Sequence, residues 1–566
     1  MAVAVWAGVW VPIQGGETLI EVNGASVVAE EDGWTIGSDL MKYSLGRGPG
    51  GVVTRGITDP LADRDWNRAE TPDSTVIVNG RRVEVGSTAT TFLDATAEEH
   101  WGGARLNLRY RIDSLALEIT RSYVAYAGSP LIETWTSFRA AGSQPVTLDD
   151  ISNFALTVEN GRFRWILGLN GPPEQGGSFT EFEDAILDGQ TYEMGSTRRS
   201  TEEFVPWFSV RVGAYQFFGS ILWGGSWRMR GIGQGEHLAV TLGLPPFSTT
   251  LAPGSALEAP HAIFGITTPI VPETALALRS FLDKGVRHGR PYGSYVTYNT
   301  WFSYGTFIDE ASLKEEMDLA AQMGVEQFVV DAGWWYGIDS GNPENYSDAW
   351  GGWEVDLERF PNGLGALTDH AHALGLRMGV WVEPERVALS MIDRPGLAAE
   401  RFLATSDGRY DPSLPNTRAG SAQICLASPE ARDWVMGKIE AFLAEVRPDY
   451  LKWDNNFWVN CNRTGHGHGP GDGNFFHTRG LNMLLDHLRV EHASLDVEIC
   501  AGGGNRLSLD MLGLGDVGWM DDQTFPARRV RHNFEGLASI FPSQYLLSFV
   551  MPTAEEPVTD DPAFDL

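Results

Sequence analysis

From about Ile20 to Ile266, apolar and polar residues alternate in short runs punctuated by Gly, Asn and Pro, as in Leu106-Asn-Leu-Arg-Tyr-Arg-Ile112 and Leu115-Ala-Leu-Glu-Ile-Thr-Arg-Ser-Tyr-Val124. Alternation at period two places the apolar side chains on one face of a strand, and turns roughly every 8–12 residues join such strands antiparallel. The pattern predicts a large β-sandwich domain over residues 1–266. A Pro-punctuated stretch with Glu273-Thr-Ala-Leu-Ala-Leu-Arg-Ser-Phe-Leu-Asp-Lys284 predicts a linking helix within 267–290.

Over residues 291–566 the texture changes: short apolar runs alternate with segments of helical period, the signature of parallel strands joined by crossover helices. Strands are predicted near Tyr295–Trp301, Gln327–Asp331, Met378–Glu383, Tyr450–Asp454, Val497–Cys500, Val517–Asp521 and Tyr545–Val550. One helix is legible residue by residue. Ser428 suits the N-cap, Pro429 the first turn, and Val435, Ile439, Phe442, Leu443 and Val446 recur on one face. Several of these strands end in Trp, Asp, Glu or Cys, at the end where a (β/α)8 barrel gathers its reactive groups. Only 16 residues follow Val550, so the expectation is a TIM-type barrel truncated before its eighth strand.

Composition narrows the partners. With 42 Lys and Arg against 74 Asp and Glu, the net charge of −32 repels phosphate backbones and anionic lipid, so no nucleic-acid or membrane partner is expected. No apolar run approaches the roughly 20 residues of a bilayer span. Met1 to Gln14 has no Lys or Arg ahead of its apolar stretch and no clean cleavage site, which points to a cytoplasmic protein. Cys425, Cys461 and Cys500 lie 36 and 39 residues apart, matching no thiolate-metal spacing and fitting a reducing compartment. The Gly-rich stretch His466-Gly-His-Gly-Pro-Gly-Asp-Gly473 reads as a mobile active-site loop rather than a metal frame, and no metal or cofactor is expected.

Two carboxylate clusters stand at strand ends, Lys452-Trp-Asp454-Asn-Asn456 and Trp519-Met-Asp521-Asp522-Gln-Thr524. Glycoside hydrolysis needs a carboxyl group on each side of the scissile bond, one to attack or activate water and one to protonate the leaving oxygen. Lys452, two residues before Asp454, shares its face and would hold it ionised. Spacing alone leaves open the plainer reading, in which Asp-rich strand ends are simply solvated or cap helices.

The motifs in order resemble glycoside hydrolase family 36, the α-galactosidase (melibiase) family of clan D. The resemblance is carried by Asn299-Thr-Trp301, Val330-Asp-Ala-Gly-Trp-Trp-Tyr-Gly337, Trp353-Glu-Val-Asp-Leu-Glu-Arg-Phe-Pro-Asn-Gly-Leu364, Trp381-Val-Glu-Pro-Glu-Arg386, Tyr450-Leu-Lys-Trp-Asp454 and Cys500-Ala-Gly-Gly-Gly504 through Met511-Leu512. In the amino-terminal half, Ile119-Thr-Arg-Ser-Tyr-Val-Ala-Tyr126 and Ile132-Glu-Thr-Trp-Thr-Ser-Phe-Arg139 resemble the family's β-supersandwich.

The resemblance implies a retaining exo-glycosidase that hydrolyses terminal α-galactosyl units of oligosaccharides by double displacement. Asp454 would be the nucleophile and Asp522 the general acid/base. Asp521 stands where the family has Ser; it is the alternative acid, or a neighbour whose charge raises the acid's pKa. Asp331, Trp301, Trp334, Lys452, Cys500, Gly502 and Asn456 would complete the sugar pocket. Glu383 and Glu385, flanking Pro384, would contact sugar directly or orient Arg386 and Lys452, with Glu383 and Arg386 counted in the substrate-binding group. Two departures bear on specificity: Ala332 replaces the family's second Asp, and Ser421 stands where an Arg is expected beside Gln423, with only Arg418 near. The same chemistry on an α-N-acetylgalactosaminide or β-L-arabinopyranoside, transglycosylation, and a non-catalytic sugar-binding protein stay open, as does the homo-oligomeric state found among related enzymes.

Overall fold

The computed structural model describes residues 4–7, 16–48, 50–337, 349–394, 396, 398–405, 417–418, 420–524 and 526–549. The chain forms two compact units, one of residues 1–291 with 508–513 and 535–542, the other of residues 292–507, 514–534 and 543–566.

The first unit is built from antiparallel sheets of eleven, six, four and four strands. Its largest sheet grows by successive hairpins through Thr91–His100, Gly103–Ile112, Leu117–Ala125 and Leu131–Ala140. Register brings Leu106 opposite Tyr123 and Ile119 opposite Phe138, so the alternating apolar positions meet on one face and are buried. The run predicted from Leu115 starts two residues later, because Ala116 takes a left-handed conformation (φ 46°) and ends the turn before the strand begins. His261–Ile266 then inserts between Leu131–Ala140 and Tyr215–Leu222, closing the sheet with a contact more than 120 residues apart in sequence. The helix expected after the sandwich is Thr274–Phe281, followed by a wider turn at Leu282–Val286.

Inside this unit a buried ion pair, Arg121 Nη2 to Asp73 Oδ2 at 2.9 Å, is completed by the Tyr43 and Tyr123 hydroxyls, which donate to the same carboxylate at 3.0 and 2.9 Å. Nearby in the sheet, Glu133 accepts from the Tyr126 hydroxyl at 2.8 Å and pairs with His261 Nδ1 at 2.6 Å.

In the second unit seven strands pair in parallel and in chain order: β1 (Thr297–Asn299), β2 (Gln327–Val330), β3 (Arg377–Val382), β4 (Tyr450–Trp453), β5 (Asp496–Ile499), β6 (Val517–Trp519) and β7 (Leu546–Leu547). This is the arrangement of seven successive strands of a (β/α)8 barrel, with β1 and β7 as the sheet edges among the described residues. The longer helices are α1 (Glu310–Gln322), α2 (Gly363–Ala373), α3 (Pro429–Val446), α4 (Gly473–Glu491) and α5 (Ala527–Ala538), of which α5 belongs to this unit as far as Phe534.

Helix α3 shows why the sequence folds this way. Ser428 Oγ accepts from the Ala431 N–H at 3.4 Å, Pro429 opens the first turn, and the five predicted positions are buried together with Ala431. Arg447, left-handed at φ 57°, ends the helix and hands the chain to β4. Beyond the carboxyl end of β3, Arg386–Ala388 pairs antiparallel with Ser421–Gln423, which also forms a short hairpin with Thr417–Arg418.

Candidate functional site

The site assembles where β1 to β6 end. Tyr450, Lys452 and Asp454 share one face of β4 and its extension, as period two requires, and all three are buried. Lys452 Nζ donates to Asp331 Oδ2 at 3.0 Å, lies 3.9 Å from Glu498 on β5 and sits 5.0 Å above the Trp519 ring of β6. One ammonium thus ties four strands together. Burial works against its charge, but Asp331 and Glu498 outweigh that and raise its pKa. Asp331, just past β2, is fixed in turn by the Asn299 amide at 2.7 Å, by its own contact with the Ala332 N–H at 2.8 Å, and through the Thr300 hydroxyl at 2.9 Å.

Asp454 accepts four hydrogen bonds. Oδ1 takes the Asn455 N–H at 2.8 Å and the Gly502 N–H at 2.9 Å; Oδ2 takes Asn456 Nδ2 at 2.6 Å and the Trp381 indole at 3.1 Å. Burial opposes the charge, yet Lys452, the Gly502 N–H, Cys500 and Trp381 together hold this carboxyl below its ordinary value. Gly502 is left-handed (φ 61°), with Asn456 Oδ1 only 3.2 Å from where a Cβ would stand, so its contribution is a backbone donor as well as room.

Asp522 follows β6 and behaves in the opposite way. Its Oδ1 accepts from the Trp519 indole at 2.8 Å. Desolvation and the Asp454 charge push it up to about 6, against the pull of Lys452 and Trp519. The residue is nevertheless open to solvent, which leaves it able to exchange a proton. Asp521 is buried and does something else: it accepts from Arg529 Nε at 2.7 Å, Asn533 Nδ2 at 2.8 Å and the Gln523 N–H at 2.9 Å, anchoring helix α5. Those three donors hold Asp521, while desolvation and the Asp454 charge are the leading causes that raise Asp522.

Other expected contacts also change role. Trp334 is fully buried, its indole donating to the Trp381 carbonyl at 3.0 Å and its ring packed on Phe442 of α3, so protein covers the face expected to stack on sugar. Trp301, at the end of β1, is exposed and keeps that option. Glu383 is buried without solvent access, accepts from the Asn456 N–H at 2.7 Å and pairs with Arg386 Nη1 at 3.5 Å; it thus meets Arg386, as expected, and also Asn456, which bridges to Asp454. Burial, the Asp454 charge and an opposing Arg386 leave Glu383 at about 7. Arg386 is buried, donates to Ser421 Oγ at 2.6 Å and lies 3.4 Å over the Trp350 ring, a supporting position behind the strand ends. Arg386 therefore bonds the Ser421 that stands where an arginine was expected. The Arg418 side chain lies outside the described residues.

Sequence reasoning passed over Trp381 and Glu498 as site residues. Trp381 is the first residue of a quoted motif, and Glu498 lies two before Cys500, so period two was the signal for both. Glu498 bonds the Tyr450 hydroxyl and is pushed up to about 7, mainly by burial and by Asp331 and Asp454, against Lys452 and Tyr450. Glu385 is held down to about 2: burial opposes its charge, but Arg506 at 3.1 Å, His477 at 2.9 Å and the Trp453 indole at 2.9 Å prevail.

The melibiase family profile matches residues 276–559, half of the chain. α-Galactosidase 2 of Pediococcus pentosaceus is 24% identical over 442 residues, covering 75% of this chain and 58% of its own length. The α-galactosidase of Escherichia coli is 28% identical over 256 residues, covering 44% of this chain and 33% of its own. This chain spans between 39% and 58% of the first three curated relatives it matches. Among solved structures, the α-galactosidase from Lactobacillus brevis superposes with a TM-score of 0.77 at 17% identity over 95% of this chain and 78% of the other. A Geobacillus stearothermophilus AgaA α-galactosidase variant in complex with raffinose gives 0.73 at 17% over 90% and 77%. No described helix is long and apolar enough to cross a membrane.

Proposed function

The chain belongs to the melibiase family of glycoside hydrolases, and on that premise we propose that it is a retaining exo-glycosidase acting on terminal α-galactosyl units of oligosaccharides. The observation that supports this reading most is the opposite electrostatic fate of two carboxyls, Asp454 at the end of β4 held below its ordinary range and Asp522 at the end of β6 pushed up to about 6. A nucleophile must be ionised and a general acid protonated at the same pH.

In the first step an Asp454 oxygen attacks the anomeric carbon while the Asp522 proton passes to the glycosidic oxygen, so the C–O bond breaks and the aglycone leaves as an alcohol. In the second, Asp522 takes a proton from water, the hydroxide oxygen bonds the anomeric carbon and Asp454 is released as carboxylate. Two inversions retain configuration. Asn456 and Trp381 aim Asp454, while Lys452 and Asp331 lie beside it as donor and acceptor for sugar hydroxyls.

Ala332 favours a second reading of the sugar. The position is buried beside Asp331 and brings no carboxylate, so one charged acceptor for a hydroxyl is lost and the same chemistry would serve an α-N-acetylgalactosaminide or β-L-arabinopyranoside. Hydrolysis of p-nitrophenyl α-galactoside beside those two glycosides and the α-glucoside decides the sugar, with Asp454→Ala as the control. NMR of the first anomer released decides the stereochemistry; an inverted product would remove the double displacement.

A further inference from the structure

The two cysteines whose spacing matched no metal pattern are brought together by the fold, and the Gly-rich loop meets them. Cys425 follows the hairpin strand Ser421–Gln423; Cys461, His466 and His468 lie between Asp454 and helix α4. One ligating atom from each falls within 4.8 Å of all the others. Cys425 Sγ is 3.5 Å from His468 Nε2, and Cys461 Sγ is 3.6 Å from His466 Nδ1. A tetrahedral zinc centre with Zn–S near 2.3 Å and Zn–N near 2.0–2.1 Å puts its ligand atoms about 3.5 Å apart.

The surroundings orient the ligands. The outer nitrogen of each ring faces a backbone carbonyl, His466 Nε2 that of Arg401 at 2.7 Å and His468 Nδ1 that of Gly469 at 2.6 Å. Each ring therefore carries its proton on the outside and turns a lone pair towards the sulfurs, the arrangement that outer hydrogen bonds impose on metal-binding histidines. Cys461 Sγ accepts the Arg463 N–H at 3.4 Å, and Arg463 is itself clamped to the Glu400 and Leu403 carbonyls at 2.8 and 3.2 Å. Ala404, Ala427 and Val459 close an apolar shell around the sulfurs, with Phe476 packed against it. All three cysteines are free thiols.

We propose that Cys425, Cys461, His466 and His468 form a structural zinc site that fixes the segment following the Asp454 strand. Binding releases the two thiol protons, and the Zn²⁺ charge is balanced by two thiolates and two neutral imidazoles, so the buried centre is neutral. Four protein ligands fill the tetrahedron and leave no position for water, so the site organises rather than catalyses. Nitrogen and sulfur donors without a carboxylate disfavour calcium and magnesium. The site pins the loop between β4 and α4 to the segment after Ser421–Gln423, the strand that pairs with Arg386–Ala388. Gly473 lets α4 start there, because a Cβ would stand 1.7 Å from the Cys461 carbonyl oxygen. The site so proposed stands against the reading of the Gly-rich stretch as a mobile loop without metal.

The test is elemental analysis of the full chain, purified reduced and without a metal-affinity tag, before and after incubation with zinc alone. About one zinc per chain is expected, falling at least about tenfold in Cys461→Ser and in His466→Gln. Cobalt substitution should give thiolate-to-metal charge-transfer bands and tetrahedral d–d bands. Should both variants fail to fold, the wild-type chain still answers: zinc must protect two of its three thiols from a thiol reagent under native conditions. Folded, reduced wild-type chain that retains less than about a tenth of an equivalent, or whose thiols react equally with and without zinc, would overturn the proposal.

Discussion

Each unit buries an ion-pair network, and the two differ in balance. Around Asp73 in the first unit, one carboxylate meets one guanidinium and two hydroxyls, and all three donors reach the same oxygen. Burial and the Asp73 charge push the Tyr43 and Tyr123 phenols up, so they remain donors. Around Lys452 in the second unit, one ammonium faces Asp331, Asp454, Glu498 and, farther out, Asp522. Donors around Asp454 keep it ionised, and desolvation together with the surplus negative charge raises the pKa values of Glu498 and Asp522. Matched charges specify a fold; mismatched ones, held by that fold, store a proton at a chosen place.

The strongest way to break the comparison is Asp454→Asn, which keeps shape and removes charge. Turnover should fall by at least about 10⁴-fold with the melting temperature unchanged or raised; steady-state kinetics and thermal unfolding on one preparation read both. Next is Asp522. The wild-type kcat/KM should fall as pH rises through about 6, where the acid loses its proton, and hold at lower pH until Asp454 protonates. Asp522→Asn should lose about 10²–10⁴-fold and its basic limb together, with the smaller loss on nitrophenyl leaving groups that need little protonation. A basic limb that persists would assign it to Glu383 or Glu498, both at about 7.

The matched network should answer in the other currency. Asp73→Ala leaves Arg121 buried without its carboxylate and should cost the first unit about 3–5 kcal/mol, read by urea unfolding. Replacing Asp73, Arg121 and Tyr43 together by apolar residues of similar volume should cost less than the single change; a larger cost would show that the polar network itself stabilises.

What was legible follows from range. Helix α3 was readable because its cap, its proline and its apolar stripe all lie within about 20 residues, and local rules act there. Strand ends such as Lys452 and Asp454 were readable because period two fixes which residues share a face. That rule gives the face within a strand and not the direction beyond its end, which is why Trp334 turned into the packing against α3 and Asp521 towards α5. The pairing of Leu131–Ala140 with His261–Ile266, and the meeting of Cys425 with His468, depend on chain segments far apart in sequence, where spacing carries no signal.

The smallest expected effect sharpens the contrast on one axis, pH. His261 is stacked on Trp135 at 3.9 Å and lies between Glu133 and Glu258. Burial lowers its pKa, but the two carboxylates more than offset this and bring it to about 9, above the usual 6.5 of an imidazole. A group whose folded pKa exceeds its unfolded value contributes stability that is complete below the unfolded pKa and lost as pH rises through the folded one. The window is therefore about pH 6.5–9. The distance between the two values sets an upper bound of about 3 kcal/mol, and partial exposure of the ring argues for about 1. Urea midpoints of the first unit should drift down across that window and flatten in His261→Phe, which keeps the stacking ring and removes the proton. Midpoints that drift equally in the variant would place the titration elsewhere and leave the first unit without a pH-sensitive pair.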